Sequence, residues 1–454
     1  MVLGLLVIFT FLFLIINFKI SKCDFMNPAV LFCGLFFIYE LICVIGTPYY
    51  EIELHIETLF VLLAGFIIFS FSNIIYATRK GNGTIPIISN KYIHLPNSIT
   101  IALIIIQIIT CYFFIRYLRS IAAAYGLNGS LDDMINLYDK LTKFWTETFN
   151  RLNVTIPMPY RIGNLITTPA AYLVLYVMVN NFVVRKKVNI YQIAVIGLLC
   201  VQILLNGSRS PLLRIFTFVL AMMYILKIHQ RGYRGSSFKF FFKIIKWVLI
   251  VAVLMFITLY AMGRGNKIGN IWNYIFIYTG APIVNLDTYI SSSNIQFVGG
   301  QSVLFGAQTL KGFYSYLAKV FNISALRYAG IGSFAFSNNG IEIGNVYTTY
   351  FKIIYDFGYI GILPMMLITS TYYCKTYQKS ISNKKNRIID LRLFYYAYLF
   401  NDLVMLPFSA RFYETISEGI FIKLVLAVWL LDIFIFENSV HLFGKKLKIP
   451  ALRM

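Results

Sequence analysis

Arg209 stands in the run Leu205-Asn206-Gly207-Ser208-Arg209-Ser210-Pro211, between two apolar stretches that are each long enough to cross a bilayer, and Arg214 follows five residues later. A guanidinium at the mouth of a membrane helix is costly to place there and well suited to gripping phosphate through two parallel hydrogen bonds. Ser210 is a candidate N-cap for the second stretch, and Pro211 fits its first turn. Free backbone N–H groups and the positive end of a helix dipole would then lie beside Arg209 and the hydroxyls of Ser208 and Ser210, a place that favours an anion such as a lipid-linked phosphate. The plainer alternative is that Arg209 is an interfacial anchor and that Arg214 snorkels outward by one turn. Arg264, Arg327 and Arg411, the last in Ser409-Ala410-Arg411-Phe412-Tyr413-Glu414, also fall near segment boundaries. Several such cations together would hold a diphosphate without a metal.

Acids are few enough to take singly. Asp356 and Glu414 lie at the mouths of apolar segments, with Glu418 close behind, and either of the first two could take a proton from an attacking hydroxyl. Glu40, Asp402 and Asp432 fall inside apolar segments, where they either work on a substrate or pair with Lys423 and other polar groups to lock a bundle. The chain has no Asp-x-Asp, Walker loop, G-x-S-x-G or H-E-x-x-H run, which argues against nucleotide-sugar, ATP-driven, serine-hydrolase and zincin chemistry. Its six cysteines show no C-x-x-C spacing, and of the four histidines only His55 falls on the side where these arginines gather. Neither a metal site nor a cofactor is expected.

The elements that must position these groups are set by composition. With 59% hydrophobic and 13% charged residues, and a mean hydropathy of +0.72, the 454-residue chain reads as an all-α polytopic membrane protein. Apolar stretches of span length fall near 2–18, 28–46, 58–76, 98–116, 162–184, 188–205, 211–228, 246–262, 357–374, 393–409 and 418–436, about eleven in all, within a range of about ten to twelve. Lys and Arg gather in every second connection, for example Lys19 and Lys22, Arg185 to Lys187, and Lys375 to Arg387, whereas the turn from Thr47 to Ile56 has none and carries Glu51 and Glu53. The positive-inside rule therefore puts the N-terminus outside and the C-terminus inside. The net charge of +22 is topology signal plus attraction to anionic headgroups, not nucleic-acid binding. The first span lacks a basic leader and reads as a retained anchor.

Two outer connections are long. The first, 117–161, contains Ser130-Leu131-Asp132-Asp133, which resembles a capping box, followed by the apolar stripe of an amphipathic helix lying on the membrane face or against the bundle. The second, 263–356, is too long to be structureless and is expected to be a folded outer subdomain, with Ile271 to Ile290 dipping into the interface or re-entering. The whole chain reads as one membrane domain.

Gly207-Ser208-Arg209 opening a span, the large outer loop, and Gly344-Asn345-Val346-Tyr347-Thr348 leading through Asp356-Phe357-Gly358-Tyr359-Ile360-Gly361 into the next span resemble the bacterial O-antigen or capsule repeat-unit polymerases of the Wzy type. The resemblance implies a GT-C-like, metal-independent glycosyltransferase of the bacterial inner membrane. It would join undecaprenyl-diphosphate-linked oligosaccharide repeat units on the periplasmic face, among membrane lipids and alongside a chain-length regulator (polysaccharide co-polymerase). Arg209, Arg411, Asp356 and Glu414 are then the expected catalytic groups, and Ser208, Arg214, Arg264, Arg327, Asn345, Tyr347 and Thr348 the expected substrate contacts. Tyr347, Tyr350, Tyr355, Tyr359 and Tyr413 could stack on sugars, although boundary aromatics are also belt residues. An O-antigen ligase with His55 as base, and a flippase or transporter of the same cargo, are the rival readings.

Overall fold

A computed structural model describes residues 1–78, 87–143, 146–152, 154–232, 271–292, 297–298, 304–323, 326, 331–332, 334–382, 387–437, 439–442 and 445–448, with isolated positions between 242 and 257. Arg264, Arg327 and most of the expected span at 246–262 lie outside these residues. The chain opens with α1 (Val2–Ile20), α2 (Pro28–Tyr50), α3 (Ile56–Thr78) and α4 (Asn97–Tyr125), followed by the short α5 (Leu131–Lys143) and α6 (Thr146–Arg151). Next come α7 (Met158–Arg185), α8 (Ile190–Leu205) and α9 (Ser210–Arg231), then α10 (Ile271–Thr279), α11 (Ala281–Ser292), α12 (Lys311–Val320) and α13 (Thr349–Phe357). The last helices are α14 (Ile362–Ser382), α15 (Leu391–Val404), α16 (Arg411–Ser417) and α17 (Gly419–Asp432), the last continued by a π turn over Ile433–Glu437.

Seven helices among the described residues are long and apolar enough to cross a membrane, namely α1 to α4, α7, α9 and α17 with its π turn, and α8 is apolar but shorter. The protein is a mostly helical, multi-pass membrane protein. The expected spans at 357–374 and 393–409 fall on α14 and α15, which are richer in tyrosine and other polar residues. Helices suit the bilayer because each satisfies its own backbone. Their outer faces carry exposed Ile8, Phe60, Ile105 and Ile193, while polar side chains join their inner faces. Thr10 donates to Glu40 at 2.9 Å, Asn17 to Ser70 at 2.7 Å, and Asn27 to Asn73 at 2.9 Å, tying α1, α2 and α3 together. Ser72 and Ser370 meet at 2.7 Å where α3 lies along α14. Small and polar residues are what let membrane helices approach each other when lipid is as apolar as the side chains.

At one end of the bundle the connections fold into a cap. His55, in the α2–α3 turn, meets Asp287 of α11 twice, through its backbone N–H and through Nδ1, each at 2.8 Å, and Thr58 donates to the same carboxylate at 2.6 Å. Tyr50 stacks on Phe276 with ring centres 3.8 Å apart. The stretch expected to dip into the interface is two helices separated at Gly280, with Phe276, Ala281, Ile283 and Leu286 fully buried. A ribbon of Ala335–Phe336 with Glu342–Gly344 follows, and its tip donates from Asn338 and Asn339 to the carbonyls of Glu51 and Tyr49 at 2.8 and 2.6 Å. Asn285 of α11 holds the Val346 carbonyl at 2.8 Å, and Thr349 N–H reaches the Leu406 carbonyl at 3.0 Å. These bonds fix the path of 344–349 into α13. On the other flank, α5 buries Leu137 and Leu141 against Phe114, Leu118 and Ile121 of α4, and Ser130 N–H donates to Asp133 at 3.1 Å across its first turn.

Candidate functional site

At the capped end, three segments distant in sequence come together. Gly312 of α12 lies against the backbone of Glu418, so closely that a Cβ there would stand 2.8 Å from the Glu418 nitrogen. The approach is reciprocal, because a Cβ on Gly419 would stand 2.4 Å from the Tyr316 ring. These two glycines seat α12 on the α16–α17 junction. Helix α13 buries Tyr350, Phe351, Ile353 and Ile354 and leaves Lys352 and Asp356, one turn apart, to the same neighbours. Asp356 accepts from the backbone N–H groups of Gln308 and Thr309 at 3.2 and 2.6 Å, and the Thr309 hydroxyl donates to the Lys352 carbonyl at 3.2 Å. Lys352 itself is paired with Glu414 of α16.

Between these segments lies a cavity of about 590 Å³, within the size range of small-molecule sites. Its wall carries five cations, Lys311, Lys319, Lys352, Arg411 and Lys423, against two carboxylates, Glu414 and Glu418. Glu414 is held by Lys352 on one oxygen and by Arg411 at 3.2 Å on the other. Burial opposes its ionisation, but the Lys352 and Arg411 cations overcome that effect and bring its carboxyl down to about 2. Two of the wall's other charged groups move the opposite way, toward neutrality. Burial and the charge of Glu414 push the Glu418 carboxyl up, and burial beside Lys352 pushes the Lys311 ammonium down. The wall also holds polar atoms without a hydrogen-bond partner among the described residues: Gln308 Nε2, Thr348 Oγ1, Ser409 Oγ and Arg411 Nε. Buried polar groups are nearly always satisfied, so four in one wall are unusual.

Asn345, Tyr347, Thr348, Arg411 and Glu414 of the expected site line this cavity. Asp356 stands behind it as the tie that holds 308–309 to α13, and burial raises its carboxyl above the usual range. Arg209 takes the N-cap position of α9 that the sequence suggested for Ser210, with Pro211 in the first turn and no side-chain cap bond. Ser208 precedes it in the same turn, where Gly207 takes a positive φ of 71° against Asp139. Arg209 donates to the Tyr274 hydroxyl at 3.2 Å. Tyr274 packs on Tyr278, and Tyr278 stacks on Phe408, which itself lines the cavity. An aromatic row therefore separates Arg209 from the cavity.

Arg214, expected at the substrate or snorkelling outward, is turned into the bundle. It donates to both carboxylate oxygens of Asp402, at 2.9 and 3.3 Å, to the Tyr398 carbonyl at 3.4 Å and to the Thr415 hydroxyl at 3.3 Å, with the Tyr398 ring beneath it. Either charge alone would be expensive among apolar helices, and the pair offsets that expense. The remaining intramembrane acids also have protein partners, Glu40 in Thr10 and Asp432 in Arg387 at 3.7 Å. Of the five tyrosines named as sugar platforms, Tyr347 is on the cavity wall, Tyr350 and Tyr413 are buried in packing, Tyr355 packs beside Phe351, and Tyr359 is exposed elsewhere. Lys311, Lys319, Lys352, Lys423, Tyr316 and Glu418 were not assigned to a site from sequence. Lys352 and Lys423 did carry a signal, each being the lone cation of an apolar helix. Among the described residues no group of three or more His, Cys, Asp or Glu is placed to hold a metal ion.

Fold and cavity together define a multi-pass helical membrane protein with a cation-lined site at one end of its bundle. Comparison with known proteins agrees in kind. Two curated relatives, each an O-antigen polymerase, one from Salmonella typhimurium strain LT2 and one from Salmonella typhi, are 25% identical to the chain over 236 residues, covering 48% of it and 49% of the relative. The chain thus spans about half the length of the curated relatives it matches. No family model matches, and no solved structure does.

Proposed function

We propose that the chain is a polymerase of O-antigen type, a glycosyltransferase that joins undecaprenyl-diphosphate-linked oligosaccharide repeat units at this cavity. The observation that carries the reading is the excess of fixed positive charge in a cavity at the mouth of α17. Bond breaking at the anomeric carbon of the donor loads negative charge onto a diphosphate. Arg411, Lys352 and Lys311 are placed to stabilise that growing charge, with Lys319 and Lys423 further along the wall. Preorganised donors of this kind act on the transition state more than on the ground state. A lipid diphosphate leaves readily once its charge is held, so the cations serve without a metal ion. Tyr316 offers a face for a sugar ring, and Asn345 offers a polar contact. Arg209, behind the Tyr274, Tyr278 and Phe408 row, supports the wall.

Charge at the two ends supports a direction. The connections opposite the cavity carry Lys19, Lys22, Arg185, Lys186, Lys187 and Arg231, so that end is assigned to the cytoplasm and the cavity to the periplasmic face of the inner membrane. A chain-length regulator would then meet the protein on the capped end.

The test is the surface glycan of a strain lacking the gene. A polymerase leaves core plus a single repeat unit, a ligase leaves lipid-linked polymer not joined to core, and a flippase leaves neither. Either of the last two outcomes overturns the reading. With purified protein and lipid-linked repeats, elongation is expected to persist in EDTA, and a loss restored by Mg²⁺ or Mn²⁺ counts against a purely cationic clamp.

A further inference from the structure

The cavity has two carboxylates, and they are not equivalent. Glu414 gives both oxygens to cations, one to Lys352 and one to Arg411. Protonating it would strand two positive charges, so at neutral pH it is a fixed anion that sets the clamp's geometry and a poor proton acceptor. Glu418, one turn on, lines the same cavity, and its side chain makes no hydrogen bond or ion pair among the described residues. Its backbone is nonetheless fixed. The Glu418 N–H donates to the Thr415 carbonyl at 3.2 Å, and its carbonyl accepts from Phe421 and Ile422 at 3.0 and 3.3 Å at the start of α17. Gly312 closes against it from the other side. A carboxylate with a rigid base, an unclaimed head and a place among phosphate-binding cations has the attributes of a reacting group.

We propose that Glu418 is the general base that takes the proton from the acceptor sugar's hydroxyl, an assignment that rests on the polymerase reading above. As the acceptor oxygen bonds to the anomeric carbon of the donor, its proton passes to a Glu418 oxygen. The anomeric carbon–oxygen bond breaks, its electron pair leaves on undecaprenyl diphosphate, and the proton is then released to water. The groups around Glu418 fit the task. Lys311 of α12 interacts with it, Arg411 and Glu414 stand one to two turns back with the Arg214–Asp402 pair beneath, and Lys319, Lys352 and Lys423 line the same cavity. Burial, and then the nearby Glu414 carboxylate, push the Glu418 carboxyl up, which favours accepting a proton.

The experiment uses the purified full chain in nanodiscs, with undecaprenyl-linked single repeats extracted from a strain lacking the gene. Initial elongation rates are measured against pH, alongside binding of radiolabelled undecaprenyl diphosphate. Glu418→Gln is expected to slow elongation by about a hundred- to ten-thousandfold, the usual contribution of a general base. It should also abolish the acidic limb of the pH–rate profile and leave diphosphate binding within about threefold of wild type. Glu418→Asp is expected to keep the limb at a reduced rate. Elongation by Glu418→Gln at the wild-type rate with the limb intact overturns the assignment, and so does a parallel loss of diphosphate binding, which would make Glu418 a structural residue. If the wild-type protein elongates nothing, the polymerase reading itself fails; if it elongates and Glu418→Gln does equally well, only the base is lost.

Discussion

Arg214 and Asp402 are partners across α9 and α15, with Nη2 and Oδ1 2.9 Å apart and side chains 14% and 0% exposed. Removing one member leaves the other charge buried, which in protein interiors costs about 3–5 kcal/mol. Arg214→Ala is therefore expected to reduce folded protein, seen as a lower melting temperature and earlier aggregation in detergent. The double variant Arg214→Met with Asp402→Leu should recover most of that loss, because a matched apolar pair restores packing without stranding a charge. A double variant no more stable than Arg214→Ala would show that the pair does more than neutralise itself.

The two boundary arginines are expected to separate in a turnover assay. Arg411 lines the cavity, and Arg411→Ala should slow elongation by about a hundred- to thousandfold, the loss seen when one preorganised transition-state donor is removed. Arg411→Lys should recover part of the rate, since a point charge replaces a planar fork. Arg209 touches Tyr274 instead, so Arg209→Ala should cost clearly less than Arg411→Ala. Equal losses would move Arg209 into direct contact with substrate.

The His55–Asp287 contact predicts a dependence on pH. The hydrogen bond from His55 to Asp287, and then the charge of Asp287, raise the imidazole pKa above 6.5. A group whose pKa is raised by folding stabilises the fold fully below its unfolded value, and that stabilisation fades as pH rises through the folded value. Melting temperature should thus fall as pH climbs above neutrality in the wild type, and this component should be absent in His55→Gln. The imidazole is 56% exposed, so the change is small and is best read as a difference between the two proteins. Parallel curves for the two would remove His55 from the account.

Gly312 offers a steric test of how α12 is held. A methyl group at this position meets the Glu418 backbone at 2.8 Å, and such overpacking typically costs about 1–3 kcal/mol. Because the obstacle is backbone, α12 must move, carrying Lys311 and Tyr316 with it. Gly312→Ala is expected to shorten the polymer and to lower the rate, with the membrane level of the protein little changed. A control at Gly340, where added bulk meets nothing within 4 Å but φ is 79°, separates backbone strain from the loss of this contact.

Much of the bundle was legible in the sequence, since lipid-facing positions such as Ile8 and Phe60 must be apolar whatever lies inside. The helix of the 131–143 stripe was equally plain, from its spacing and its Ser130–Asp133 start. Single boundary cations could also be seen, Arg411 among them. What spacing does not reveal is convergence. Lys311 and Glu418 share one wall because of two glycine contacts, and a glycine that permits close approach has the same letter as one in a loop. Arg214 shows the same limit from the other side. Its partner lies 188 positions away, so from sequence a lipid-facing, a substrate-facing and a buried arginine look alike.

The cavity's wall is contributed by 308–319, 345–352 and 408–423, all in the later part of the chain and closed by the α16–α17 junction. During synthesis the earlier membrane helices can insert and pack while this wall is still incomplete. Chains truncated before α16 would hold their bundle contacts yet lack both carboxylates and two of the five cations. Such a chain has only part of the cavity, and the wall is complete only once α17 has been added.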